Sequence, residues 1–188
     1  MNRGVWEQYV LAATTIRDVL TETECDAVKK DALRVGLSRS TVIKGKRIKP
    51  SRARTSNQAV LERTPEREWL YERILTIAEA VNAELWKFSV TGIENMQVLR
   101  YKPTQRFKWH YDTYPGSLRK LTCVINLSLP KSYWRGGLRL MGAHKNKEHS
   151  RLQGAATLFP TFIMHKAAAP WWGERWVLVA WLTGPAWA

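Results

Sequence analysis

Two histidines and an aspartate mark where chemistry can happen in this 188-residue chain. His110 and Asp112 stand two apart in Trp109-His110-Tyr111-Asp112, and His165 follows in Met164-His165-Lys166. Two imidazoles and one carboxylate form a facial ligand set that suits non-haem Fe(II) and leaves coordination positions open. On a strand, residues 110 and 112 point to one face, so both can reach the same metal. His165 lies far enough downstream to return on a neighbouring strand. With only four His in the chain, a His-x-Asp pair is still a modest signal, and a hydrogen-bonded or surface histidine is the plain alternative.

Arg175 shifts that balance. It heads residues 176–182, the most apolar run of the chain. An arginine entering a buried strand is costly unless an anion meets it. Its guanidinium stays charged and binds carboxylates in bidentate fashion. A metal set with an arginine deeper in the same barrel is what a chelating dicarboxylate needs, one end on the metal and the other on the arginine.

Two kinds of element must position these groups. The first half reads helical. Thr21-Glu22-Thr23-Glu24 has the capping-box form and opens a helix to about Val35, where Gly36 stops it. Thr64-Pro65 starts a second helix, with Trp69, Leu70, Ile74, Ile77, Ala78, Val81 and Leu85 as its core-facing stripe. Between them, residues 44–54 are basic, rich in breakers and without periodicity, which predicts a mobile loop. From about Glu94 the rhythm becomes short β runs, at 96–101, 121–127 and 176–182, separated by Gly and Pro clusters. That pattern points to a β sandwich or barrel with helices packed on one face, an α+β arrangement.

The ordered set of motifs resembles the 2-oxoglutarate- and Fe(II)-dependent dioxygenases, specifically their prolyl 4-hydroxylase-like branch. Residues 97–101 precede Phe107-Lys108-Trp109-His110-Tyr111-Asp112, and Arg119-Lys120-Leu121-Thr122 opens the next strand. Gly136-Gly137-Leu138-Arg139-Leu140, Leu158-Phe159-Pro160, His165, Gly173-Glu174-Arg175 and Trp181 follow in order. Upstream, Arg54-Thr55-Ser56 looks like the Arg-x-Ser element of these hydroxylases. The resemblance implies a double-stranded β-helix (jelly-roll) core, about residues 93–186, with N-terminal supporting helices and the basic loop in about 1–92. The whole of 1–188 would form a single domain. Iron would be held by His110, Asp112 and His165, with Arg175 pairing the distal carboxylate of 2-oxoglutarate. Tyr101, Asn126 and Trp181 would line the cosubstrate site, although Asn126 departs from the aromatic seen in some relatives. Arg54, Ser56, Trp109 and Trp171 would touch substrate. The implied cosubstrates are 2-oxoglutarate and O2, with ascorbate a further candidate. The implied reaction hydroxylates a C–H bond, with a prolyl residue of a protein or peptide as the expected target, and releases succinate and CO2.

Charge and composition narrow the alternatives. The net charge is +14, and residues 44–63 and 96–188 carry the surplus. Such a field concentrates anions and suggests an acidic protein or peptide partner. A free amino acid or other small molecule is a second possible substrate. A basic nucleic-acid-binding module without catalysis is a reading of another class, but it leaves Arg175 inside an apolar strand unexplained. Nucleic acid is not expected as the substrate either, because the dealkylating branch places a second arginine where Trp181 stands. His144 and His149 could serve as alternative ligands, but a solvated loop explains them more simply. No apolar run approaches the roughly 20 residues of a membrane helix. The first ten residues lack the apolar segment of a secretory signal. Cys25 and Cys123, far apart, read as buried free thiols in a reducing cytoplasm.

Overall fold

The computed structural model describes residues 13–44, 47–141 and 151–186. The expected first helix is present as α1, Glu22–Val35, with both arms of the capping box formed at Thr21 and Glu24. Gly36 ends it at φ 98°, its N–H reaching the Ala32 carbonyl. A 3-10 turn at Pro65–Arg67 leads into α2, Glu68–Leu85. Its buried side is Leu70, Tyr71, Ile74, Ala78 and Asn82. Trp69 does not belong to that stripe: it is exposed, with the Arg73 guanidinium 5.2 Å from its ring centroid. Tyr71 takes the inner place, donating to the Leu61 carbonyl at 2.6 Å and accepting from Met96 N–H.

The sheet reaches further toward the N-terminus than the helical reading of that half expects. β1 (Thr14–Ile16), β2 (Ser38–Arg39) and β5 (Asn57–Leu61) all join the large antiparallel sheet. Its later strands are β6 (Gly92–Ile93), β7 (Met96–Tyr101), β9 (Arg119–Asn126), β11 (Ala156–Pro160) and β13 (Arg175–Thr183). The order is β1-β11-β9-β13-β7-β5-β2, with β6 paired to β13. Because β5 pairs with β7, the expected division near residue 92 does not separate helices from sheet. Residues 57–61 alternate, Ala59 and Leu61 on the buried side and Gln58 and Val60 on the other, the period of a half-covered strand.

The predicted mobile loop is corrected as well. Thr41–Lys44 (β3) and Arg47–Pro50 (β4) form a two-stranded antiparallel ladder. The β-branched Thr41, Val42 and Ile43 favour extended backbone, and that outweighs the basic, breaker-rich composition. Gly45 and Lys46 lie outside the described residues.

A smaller sheet, β10-β12-β8, consists of Tyr133–Leu140, His165–Gly173 and Phe107–His110. It faces one side of the large sheet, while α1 and α2 cover the other. Alternation along the central strands divides the core in two. On β13, Leu178, Ala180 and Leu182 pack toward the helices, whereas Val177, Val179 and Trp181 face the small sheet. On β9, Leu121, Cys123 and Ile125 take the helix side and Val124 the other. Both faces of these strands are covered, which is why they read as nearly continuous apolar runs. The two facing sheets are the jelly roll, and the helices support it from outside. Among the described residues, no helix is long and apolar enough to cross a membrane.

Candidate active site

The site lies between the two sheets, in a cavity of about 940 Å³, within the range of small-molecule pockets. His110 ends β8 and His165 begins β12, and the two are direct register partners. Their rings stand 4.1 Å apart between centroids. Asp112 lies just past the end of β8, so strand alternation does not bring it to His110 as the sequence suggests. Its backbone N–H instead donates to the Thr161 carbonyl at 3.0 Å. Asp112 Oδ1 is 3.6 Å from His110 Nε2, and Oδ2 is 3.3 Å from His165 Nε2. One ligand atom from each of the three lies within 4.8 Å of the others.

The ring orientations fit a metal. His110 Nδ1–H donates to the Lys108 carbonyl at 2.7 Å, and His165 Nδ1–H to the Ile163 carbonyl at 2.9 Å. A carbonyl only accepts, so each Nδ1 keeps its proton and each Nε2 turns toward the carboxylate. Phe107 stacks on His110 at 3.4 Å between centroids, and Phe159 meets His165 edge-on. Burial pushes His110 down to about 4, which keeps it neutral. Burial would raise the Asp112 carboxyl, but the two histidines and the Thr122 hydroxyl overcome this and hold it well below the usual carboxylate range. For His165 the nearby carboxylate outweighs burial and raises the pKa. Three such groups, facing one another and largely removed from water, call for a cation at their centre, a proton on His165 or a metal.

Arg175 opens β13 opposite Tyr101 on β7. It is 1% exposed, and its Nε and Nη2 have no hydrogen-bond partner among the described residues. Its guanidinium carbon lies 5.9 Å from the Tyr101 ring centroid. A buried guanidinium with orphaned donors on a cavity wall fits a carboxylate. Tyr101 and Trp181 line the same cavity, and the Trp181 ring carries the Arg119 guanidinium at 3.8 Å.

Other expected site residues are placed differently. Asn126 is buried but is not among the cavity-lining residues; its amide donates to the carbonyls of Ser128 and Arg151. Ser56 sits behind the wall, bonded to Ser40 at 2.8 Å and against the Tyr101 hydroxyl. Arg54 does line the cavity, donating to the Thr41 carbonyl and to Gln97 Oε1. Trp109 and Trp171 are exposed and outside the lining. Trp109 precedes His110 on β8, so the pleat sends it to the outer face, where Lys166 Nζ covers it at 4.7 Å. Trp171 stands six residues past His165, about 20 Å along an extended strand, and packs on Trp134 and Arg135. His144 and His149 lie outside the described residues.

Two residues that the sequence reading quotes only within a strand-opening motif, without a role, touch Asp112. Thr122 donates to Asp112 Oδ2 at 2.7 Å. Arg119 grips Glu94 through two nitrogens, at 2.8 and 2.6 Å, and donates to the Asp112 carbonyl at 3.3 Å. The alternation of Thr122 with Cys123 and Val124 on β9 was the signal that Thr122 faces the barrel interior.

Residues 96–183, which contain His110, Asp112, His165, Arg175, Tyr101 and Thr122, match the family model of the 2OG-Fe(II) oxygenase superfamily. Over that stretch the chain is similar to the 2OG-Fe(II) oxygenases. The match and the His110, Asp112 and His165 cluster support Fe(II) and 2-oxoglutarate as the cofactors of a 2-oxoglutarate-dependent dioxygenase, and the fold is prolyl hydroxylase-like. No curated protein sequence matches it. Among solved structures, it is similar to a viral collagen prolyl hydroxylase of Paramecium bursaria Chlorella virus-1 in complex with 2OG, at 20% identity and TM-score 0.69, over 92% of this chain and 96% of that one. A Pseudomonas putida prolyl-4-hydroxylase aligns at 14% identity and TM-score 0.72, over 99% and 100%. A Trichoplax adhaerens prolyl hydroxylase, solved with a hypoxia inducible factor peptide fragment, aligns at 16% identity and TM-score 0.73, over 95% and 87%. At these identities the likeness establishes the fold.

Proposed function

We propose that this oxygenase hydroxylates a prolyl residue in a protein or peptide, releasing succinate and CO2, with iron held by His110, Asp112 and His165. The observation that carries the site assignment is the pair of orphaned Arg175 nitrogens on the cavity that holds the triad. When bound, the iron and 2-oxoglutarate supply the oxidising chemistry for C–H hydroxylation. The chain's own residues do the rest. The two Nε2 atoms and the Asp112 carboxylate offer three ligands on one side. Arg175 meets the distal carboxylate of the cosubstrate, with Tyr101 beside it. Val124, Val177 and Val179 give the cavity an apolar wall, which keeps water from the reacting centre.

The prolyl target is supported by the three prolyl hydroxylases of like fold, one of them holding a peptide. The surplus positive charge supports an acidic peptide. A reducing, cytoplasmic setting is supported by the two free buried thiols, Cys25 and Cys123. The test is turnover on proline-containing peptides, acidic and basic, with mass spectrometry locating one added oxygen and succinate measured alongside. Hydroxyproline formed in step with succinate, faster on the acidic set, is the expected result. Equal rates on both sets would remove the acidic preference. Succinate coupled only to oxidation of free amino acids or other small molecules would overturn the prolyl reading.

A further inference from the structure

We propose that Thr122 is a positioning residue that holds one oxygen of the Asp112 carboxylate and presents the other to the iron. This rests on the reading of His110, Asp112 and His165 as the iron site. Asp112 needs such help because β8 ends at His110, so no strand register fixes the residues beyond it. Three contacts take its place. Thr161 accepts from the Asp112 backbone N–H, Arg119 Nη1 donates to its backbone carbonyl, and Thr122 Oγ1 donates to Oδ2 at 2.7 Å. The first two hold the main chain. The third sets the rotation of the carboxylate itself.

Thr122 is well suited to the task. It lies within β9, between register partners Phe159 on β11 and Trp181 on β13, and it is fully buried. β-branching restricts its side chain further, so the hydroxyl is aimed before any metal arrives. A hydroxyl bonded to an ionised carboxylate away from water is among the stronger hydrogen bonds in proteins. Oδ2, 3.3 Å from His165 Nε2, is thereby fixed, and Oδ1, 3.6 Å from His110 Nε2, is the oxygen that carries no bond from the hydroxyl. The consequence concerns open positions. His110, Asp112 and His165 would hold the metal through one atom each, which would keep coordination positions open for the cosubstrates. A carboxylate free to swing and ligate through both oxygens would close one of them.

The experiment compares the parent with Thr122→Val, Thr122→Ala and Thr122→Ser. Each is checked for folding by circular dichroism and melting. Fe(II) affinity is then measured by chelator competition, and 2-oxoglutarate binding by the visible charge-transfer band of the anaerobic complex. Changes in residues that support metal ligands typically cost 10–100-fold. The Val and Ala variants should therefore need about 10–100-fold more 2-oxoglutarate for the band, or show it at a shifted wavelength, while Ser restores the parent's behaviour. A folded Val or Ala variant with the parent's 2-oxoglutarate dependence and band position would overturn the proposal, as would a Ser variant as impaired as Val. A parent that shows no band would overturn the iron-site reading itself, an outcome distinct from both.

Discussion

His165 at the start of β12 stands directly opposite His110 at the end of β8. This pairing of two distant segments builds the site from the rim of the small sheet. It turns the two Nε2 atoms toward a common point, while carbonyls at Lys108 and Ile163 hold both Nδ1 protons on the far side. The large sheet answers from across the cavity with Arg175, Tyr101 and Thr122. The two histidines are thus set by the small sheet and Arg175 by the large one, so histidine placement and cosubstrate binding can be perturbed separately.

Arg175→Met tests that separation. The variant removes a buried charge and keeps an unbranched side chain of similar reach. Loss of a charge-assisted pair is worth about 1.5–3 kcal/mol, so the 2-oxoglutarate concentration for half-saturation should rise by roughly 10–150-fold. Fe(II) affinity measured without cosubstrate should stay within about threefold of the parent.

Trp109→Ala and Trp171→Ala should leave cosubstrate binding and uncoupled 2-oxoglutarate turnover within about twofold of the parent, as expected for surface positions away from the site. Both side chains lie outside the cavity lining. Succinate release assayed without peptide substrate measures this. A tenfold loss in either variant would return these residues to the active site.

Much of this arrangement was legible in the residues. The capping box at Thr21, the stop at Gly36, the strand at 96–101 and the candidate metal-binding residues His110, Asp112 and His165 each carry a local physical signal. Arg175 was legible too, because a charge at the head of an apolar strand demands a partner. What escaped depends on register and pairing. Strand β5 is half polar and pairs with β7, so its own residues carry little of the signal that places it in the sheet. Trp109 and Trp171 sit close to ligands in sequence, but the pleat and the length of β12 carry them away. Thr122 looks like any buried strand residue until β8 and β9 are brought together, when its hydroxyl meets Asp112.

Gly173 should resist substitution. It turns β12 into β13 at φ 74°, and an added Cβ would stand 2.1 Å from the Ser132 carbonyl oxygen and 2.8 Å from Tyr133 Cα. Neither backbone atom can move cheaply. Gly173→Ala should destabilise the protein by more than about 1 kcal/mol, lowering Tm by at least about 2–4 °C. It should also weaken 2-oxoglutarate binding, since Arg175 lies two residues on. Thermal melting and the charge-transfer titration check the two effects.

Burial pushes the Cys25 thiol up to about 11 and the Cys123 thiol up to about 12. Because the thiolate is the reactive form, both should remain unlabelled by iodoacetamide at pH 8 in the native state. Both should label in denaturant. Rapid native labelling of either, read by mass spectrometry, would contradict its burial.

The proposed function rests on three side chains whose ligand atoms converge where a metal would be held. The most direct measurement is anaerobic titration of the metal-stripped protein with Fe(II) and 2-oxoglutarate, following the visible charge-transfer band in the parent, His165→Ala and Asp112→Ala. A saturable band of one equivalent is expected in the parent and none in either folded variant. No band from folded, reloaded parent, or a full band retained in His165→Ala, would contradict that convergence.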